Sequence, residues 1–192
     1  MLEKIKNNKI TFIVTGILLV LFGIGLSMSP EYSVSPSQDA PSQEVVVNNE
    51  YGFKEITMAD ALSTWRDNKS AVIVFGFTSC PWCQEAYPVL DKVADEKNVD
   101  IFYVRTRDEE GELTYTDEQR EELYQYMPDL MTKTDDGLTL YVPVVVSIKD
   151  GNTIDGHVGT VDGHDAHERV MTEEEVEKLT AIYSEMLEAF LE

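Results

Sequence analysis

Polar and apolar residues divide the chain into three stretches. Between Lys9 and Glu31 no residue is charged, and the middle of that run, Ile17-Leu18-Leu19-Val20-Leu21-Phe22, is wholly apolar. The 21 residues from Ile10 to Pro30 would form a helix of ~31 Å at ~1.5 Å per residue, long enough to cross a hydrocarbon core. The run has no polar face, so it reads as a transmembrane anchor over 10–28 rather than a core helix. Lys4, Lys6 and Lys9 precede it and Glu31 and Asp39 follow it. The positive-inside rule then places the basic segment 1–9 in the cytoplasm and everything later outside. A cleaved signal peptide is the rival reading, but the exit Gly25-Leu26-Ser27-Met28-Ser29 is only a fair cleavage site. Both readings export the remainder. Residues 29–50 carry Pro30, Pro36 and Pro41 among Ser, Gln and Asn, the composition of a flexible linker. Val45 to Val47 could begin a strand.

From Tyr51 to Glu192 the pattern alternates between strand and helix periods. Tyr51 to Ile56 predicts a short strand. Thr57, with Asp60 three residues on, predicts a helix start, and Met58, Ala61, Leu62 and Trp65 form one helical stripe. Ala71 to Phe77 is continuously apolar, as a central strand covered on both faces requires. Pro81 to Lys97 predicts a helix with Ala86, Val89, Leu90, Val93 and Ala94 inward, and Val99 to Val104 a further strand. A strand–helix–strand unit implies a parallel pair. Thr116 with Gln119 opens a helix to about Met127. Val142 to Ile148 and Thr153 to Val158 read as strands joined at Asp150-Gly151, a hairpin turn. Thr172 with Glu175 caps a last helix whose stripe is Val176, Leu179, Tyr183, Met186, Leu187 and Phe190. The fold class is α/β, a mixed central sheet flanked by helices.

The net charge is −21, with the basic first nine residues set against a strongly acidic remainder. Such a surface repels phosphate, which argues against nucleic acid as a partner. The only cysteines are Cys80 and Cys83, so neither a disulfide-stapled scaffold nor a four-thiolate metal site is available.

Those two cysteines carry the chemistry. Cys80-Pro81-Trp82-Cys83 follows the central strand and opens a helix. A helix N-terminus has unpaired N–H groups and the positive end of the macrodipole, which favours a thiolate at Cys80. Pro81 at the first helical position loses no hydrogen bond. Cys83 lies one turn on, placed to attack a mixed disulfide formed by Cys80. A structural disulfide closing so short a loop would stabilise little. A metal site would need partners, and His157, His164 and His167 are far along the chain.

The segment from Ala71 to Ala94, AVIVFGFTSCPWCQEAYPVLDKVA, resembles the thioredoxin active-site segment, including Pro88 in the helix and the Leu90-Asp91 pair. Tyr141-Val142-Pro143-Val144-Val145-Val146, followed by Lys149-Asp150-Gly151 and Gly159, resembles the second hallmark of that family. The resemblance covers about residues 51–192, with extra length between Arg107 and Leu140. The anchored, acidic layout is similar to thioredoxin-like bacteriocin-transport accessory proteins. The resemblance implies a thioredoxin fold and a thiol–disulfide oxidoreductase needing no cofactor. It implies a cis Pro143 that sets Val142 beside the cysteines, where an extended substrate pairs as an added strand. It implies that Pro88 kinks the helix and that Trp82 is an exposed contact surface beside Cys80. Arg105, where the family often has lysine, would favour the thiolate as a cation. One position departs from the family. The buried acid six residues before the first cysteine is Val74 here, which bears on proton transfer at Cys83; Glu85 or a water could stand in. The partners implied are an exported cysteine-containing protein or peptide, a redox recycling partner, and the membrane. A non-catalytic binding or accessory module on the same fold, and a metal carrier, are the alternatives.

Two features remain. Asp155, His157, Asp162, His164, Asp165 and His167 cluster before the last helix; they could ligate a divalent metal, but a solvated turn is the better reading. The acidic stretch from Asp108 to Glu122 reads as a solvated face, or as a selector of cationic substrates.

Overall fold

Three threonines set where the helices begin. Thr57, Thr116 and Thr172 each accept from the backbone N–H three residues on, while Asp60, Gln119 and Glu175 reach back to the cap's own N–H. These reciprocal bonds satisfy donors that a helix start leaves open. The computed structural model describes residues 46–47, 51–135 and 137–192. The basic segment 1–9, the expected membrane span 10–28 and nearly all of the linker 29–50 lie outside the described residues. Among the described residues no helix is long and apolar enough to cross a membrane.

The elements in chain order are β1 (Val46–Val47), β2 (Lys54–Ile56), α1 (Met58–Arg66), β3 (Ala71–Gly76), α2 (Pro81–Lys97), β4 (Ile101–Arg105), α3 (Asp117–Tyr126), β5 (Thr132–Thr134), β6 (Gly137–Thr139), β7 (Val144–Lys149), β8 (Asn152–Val158) and α4 (Glu173–Leu191). A short 3₁₀ turn, Pro128–Leu130, follows α3. Six strands form one sheet in the order β1-β2-β4-β3-β7-β8. The pairs β2–β4 and β3–β4 are parallel, while β1–β2, β3–β7 and β7–β8 are antiparallel. This is the mixed α/β layout that the thioredoxin resemblance implies.

The period of two along β3 divides the core. Val72 and Val74 join Tyr103 and Val145 beneath α2 and α4, with Leu90, Val93, Leu179 and Leu187. Ile73 and Phe75 join Val104, Val146 and Ile148 beneath α1 and α3, with Leu62, Trp65 and Leu123. All six residues of β3 are buried, which is why the run shows no alternation. At the turn between β7 and β8, Asp150 and Gly151 both take positive φ, 50° and 73°, the twist a two-residue hairpin requires.

Several boundaries differ from expectation. The strand expected from Tyr51 begins at Lys54, after a turn in which Gly52 has φ 59°. The strand expected from Val99 begins at Ile101, because Asn98 ends α2 in the left-handed region and Val99 N–H still bonds back to Ala94 O. β7 starts at Val144 rather than Val142, past the N–H that Pro143 lacks. The β5–β6 hairpin was not expected. Its sequence, Thr-Lys-Thr and Gly-Leu-Thr, is short and polar.

Candidate active site

β3 ends at Gly76, the chain crosses a short loop, and Cys80 becomes the N-cap of α2. The loop is pinned by Cys80 N–H donating to Phe77 O at 3.2 Å and by Gln84 Nε2 donating to Thr78 O at 2.9 Å. Cys80 keeps extended backbone angles, φ −75° and ψ 120°, and its sulfur accepts the Cys83 N–H at 3.3 Å. The side chain that caps the helix is thus the sulfur itself. Pro81 occupies the first turn, as the sequence predicts. Both cysteines are free thiols, Cys80 3% and Cys83 0% exposed.

The two sulfurs differ in acidity for physical reasons. Cys80 is lowered to about 7, first by the hydrogen bond from the Cys83 thiol and then by the backbone N–H groups of Cys83 and Trp82, against the opposing effect of burial. Cys83 is pushed strongly upward, chiefly by burial and then by Cys80. One thiol is therefore poised as nucleophile at neutral pH while its neighbour holds its proton.

The peptide bond between Val142 and Pro143 is cis, as expected. It brings Val142 O to 3.7 Å from Cys80 Sγ. Around this meeting point lies a groove of about 580 Å³ whose walls include Phe77, Pro81, Trp82, Tyr141, Val142 and Val158. Its lining is mainly apolar, with Ser79, Arg107, Thr139 and His167 among its polar or charged side chains. Tyr141 and Val158 are exposed, leaving an apolar strip beside the nucleophile.

Three expectations need correction. Arg105 does not attend the thiolate: its guanidinium binds both carboxylate oxygens of Glu55, at 3.0 and 3.2 Å, from the neighbouring strand β2. It acts instead on Tyr103, whose ionisation it favours against the burial that raises that phenol to about 12. Glu85 does not stand in for the missing acid, because its carboxylate accepts the Met171 N–H at 2.9 Å. Trp82 is half-buried rather than exposed, its ring meeting the edge of His167 at 4.6 Å. Pro88, where the resemblance implies a kink, lies inside α2 on its exposed side, and α2 runs on to Lys97.

The histidine cluster also resolves. His164 is buried: Nε2 donates to Arg169 O at 3.0 Å, which leaves Nδ1 to accept from the Thr160 hydroxyl at 2.7 Å. His157 bonds Thr160 O. Among the described residues no group of three or more His, Cys, Asp or Glu side chains is placed to hold a metal ion.

One residue at the site escaped the sequence reading. Tyr87 is buried, and its hydroxyl packs with the Cys83 sulfur over Gly76. The signal was present: Tyr87 is four residues after Cys83, one helical turn on the same face.

No protein-family model matches the chain, and no curated protein matches it. Among solved structures, the chain is similar to mitochondrial thioredoxin 3 from Saccharomyces cerevisiae, with 16% identity over 56% of this chain and 83% of that one and a TM-score of 0.36. It is similar to Fasciola hepatica thioredoxin, with 22% identity over 65% of this chain and 92% of that one and a TM-score of 0.34. It is also similar to thioredoxin O2 from Arabidopsis thaliana, with 20% identity over 62% of this chain and 88% of that one and a TM-score of 0.36.

Proposed function

We propose that this chain is a membrane-tethered, extracytoplasmic thiol–disulfide oxidoreductase that exchanges disulfides with exported cysteine-containing proteins or peptides. The observation that carries the chemistry is the Cys80 sulfur seated as the N-cap of α2, lowered to about 7, with Cys83 behind it. The tether and the export rest on the uncharged run after Lys9.

In this reading the Cys80 thiolate attacks a substrate disulfide and displaces one substrate sulfur. An extended substrate lies in the apolar groove with its backbone against Val142. Cys83 then attacks Cys80 Sγ, which closes the Cys80–Cys83 disulfide and frees the second substrate sulfur. A separate redox partner resets the pair, and the same steps in reverse oxidise a dithiol.

The test is exchange with a disulfide-bonded peptide, comparing the wild-type chain with Cys80→Ser and Cys83→Ser. Wild type should turn over, Cys83→Ser should stop as a mixed disulfide, and Cys80→Ser should do neither. A Cys80→Ser chain that binds the exported partner as well as a wild type without exchange activity would identify an accessory binding module instead. Protease digestion of intact cells should remove the domain if it is extracytoplasmic.

A further inference from the structure

The resolving thiol faces an energetic problem that the fold must answer. Cys83 is fully buried, so ionising it is costly, and the central strand offers Val74 where a carboxylate could have helped. What the structure places there instead is a phenol. Tyr87 is 2% exposed, and its hydroxyl finds no hydrogen-bond partner of ordinary geometry among the described residues. Leaving a buried hydroxyl unpartnered is itself unfavourable. Its position is fixed by Gly76: a Cβ built there would lie 2.0 Å from Tyr87 Oη and 2.8 Å from Cys83 Sγ. The absence of a side chain at Gly76 is what lets oxygen and sulfur share that space.

We propose that the Tyr87 hydroxyl donates a hydrogen bond to the Cys83 sulfur as that sulfur becomes a thiolate, and so drives the resolving step. This rests on the exchange chemistry proposed above and deepens it. During resolution the Cys83 proton leaves to solvent. The thiolate attacks Cys80 Sγ, the Cys80–Cys83 bond forms, and the Cys80–substrate bond breaks. The substrate sulfur departs as a thiolate and takes a proton from solvent. The substrate is reduced by two electrons and the cysteine pair is oxidised by two. Tyr87 keeps its own proton throughout: burial raises the phenol far above neutral pH, so it serves as a donor and not as a base.

The ionisable groups around Cys83 are Cys80 and Tyr87 on α2, Tyr103 on β4 and Tyr183 on α4. Tyr103 donates to Gly76 O at 3.2 Å, so toward Tyr87, whose ring it meets edge-on at 5.9 Å, its oxygen can act only as an acceptor. Tyr183 is buried against His157 at 5.9 Å between ring centres, and its hydroxyl, also without a hydrogen-bond partner among the described residues, is not one of the three atoms nearest the space over Gly76. Tyr183→Phe therefore removes an equally buried phenol without touching the proposed bond.

A single-turnover reaction with dithiobis(nitrobenzoate) separates the steps. Each cysteine attack releases one coloured thiolate, first for Cys80 and then for Cys83. Tyr87→Phe should leave the first release at the wild-type rate. It should slow the second roughly tenfold or more at neutral pH and move that phase's pH midpoint upward. Tyr183→Phe should change neither phase. A second release in Tyr87→Phe with wild-type rate and midpoint would overturn the proposal. If Tyr87→Phe does not fold, 3-fluorotyrosine at position 87 keeps the shape and strengthens the donor. The second-phase midpoint should then fall, and an unmoved midpoint would overturn the proposal. A wild-type chain that releases no thiolate would instead overturn the oxidoreductase reading itself.

Discussion

Removing the Cys83 side chain should raise the pKa of Cys80, because the thiol hydrogen bond from Cys83 is the largest influence lowering it. The size of the effect on reactivity can be worked out. At about 7, half of Cys80 is thiolate at pH 7, against ~3% for a free cysteine near ~8.5. Ionisation alone would make it ~15-fold more reactive. A more acidic thiolate is also a weaker nucleophile, by a factor of ~5 over that interval. Ionisation wins at pH 7 by ~3-fold, and the two curves cross near pH ~8, above which Cys80 becomes the slower thiol. Restricted access, with Cys80 only 3% exposed, scales the whole curve and leaves its inflection in place. The assay is the alkylation rate of Cys80 across pH, in wild type and Cys83→Ala. The wild-type inflection should fall near 7. The variant's should move up yet stop short of the free-cysteine range, because the backbone N–H groups of Cys83 and Trp82 still face the sulfur. A wild-type inflection in the free-cysteine range, or one that Cys83→Ala leaves unmoved, would refute the reasoning.

Gly76→Ala should destabilise the fold by ~1–3 kcal/mol through overpacking, since the new methyl meets Tyr87 Oη at 2.0 Å and Cys83 Sγ at 2.8 Å; urea unfolding at wild-type stability would contradict this. Arg105→Gln should leave the Cys80 inflection where it is, while costing ~1 kcal/mol by stripping Glu55 of its partner at a half-buried site; alkylation and urea unfolding of the same sample check both halves. The reduced protein, compared with a Cys80→Ser/Cys83→Ser chain, should gain stability as pH rises from about 7, because folded Cys80 is ionised there while the unfolded thiol is still protonated. Above the free-cysteine range the trend should reverse, since unfolded Cys83 ionises and folded Cys83 does not. Urea midpoints under reductant across that interval give the answer.

What the sequence disclosed was whatever local pattern controls. The apolar run of β3, the cap at Cys80, Pro81 in the first turn and the three threonine capping boxes are all decided within a few residues, and each forms where expected. What it hid were choices of partner across the fold. Arg105 and Glu55 are 50 positions apart and become neighbours only because β2 lies beside β4. Glu85 turns away to Met171, 86 positions on, and Trp82 finds His167. Tyr87 was hidden differently: an aromatic on a helix stripe looks like ordinary core, and only the glycine at the end of β3 gives its hydroxyl somewhere particular to go.

The placement of one sulfur wholly inside the protein behind the other also governs damage. A peroxide can reach only the outer sulfur, where it would form a sulfenic acid. The inner thiol, sealed from the same oxidant, is one helical turn away and condenses with it to a disulfide, expelling water. Oxidative attack is thereby diverted into a state that a reductant restores, and the irreversible sulfinic and sulfonic acids are kept off both positions.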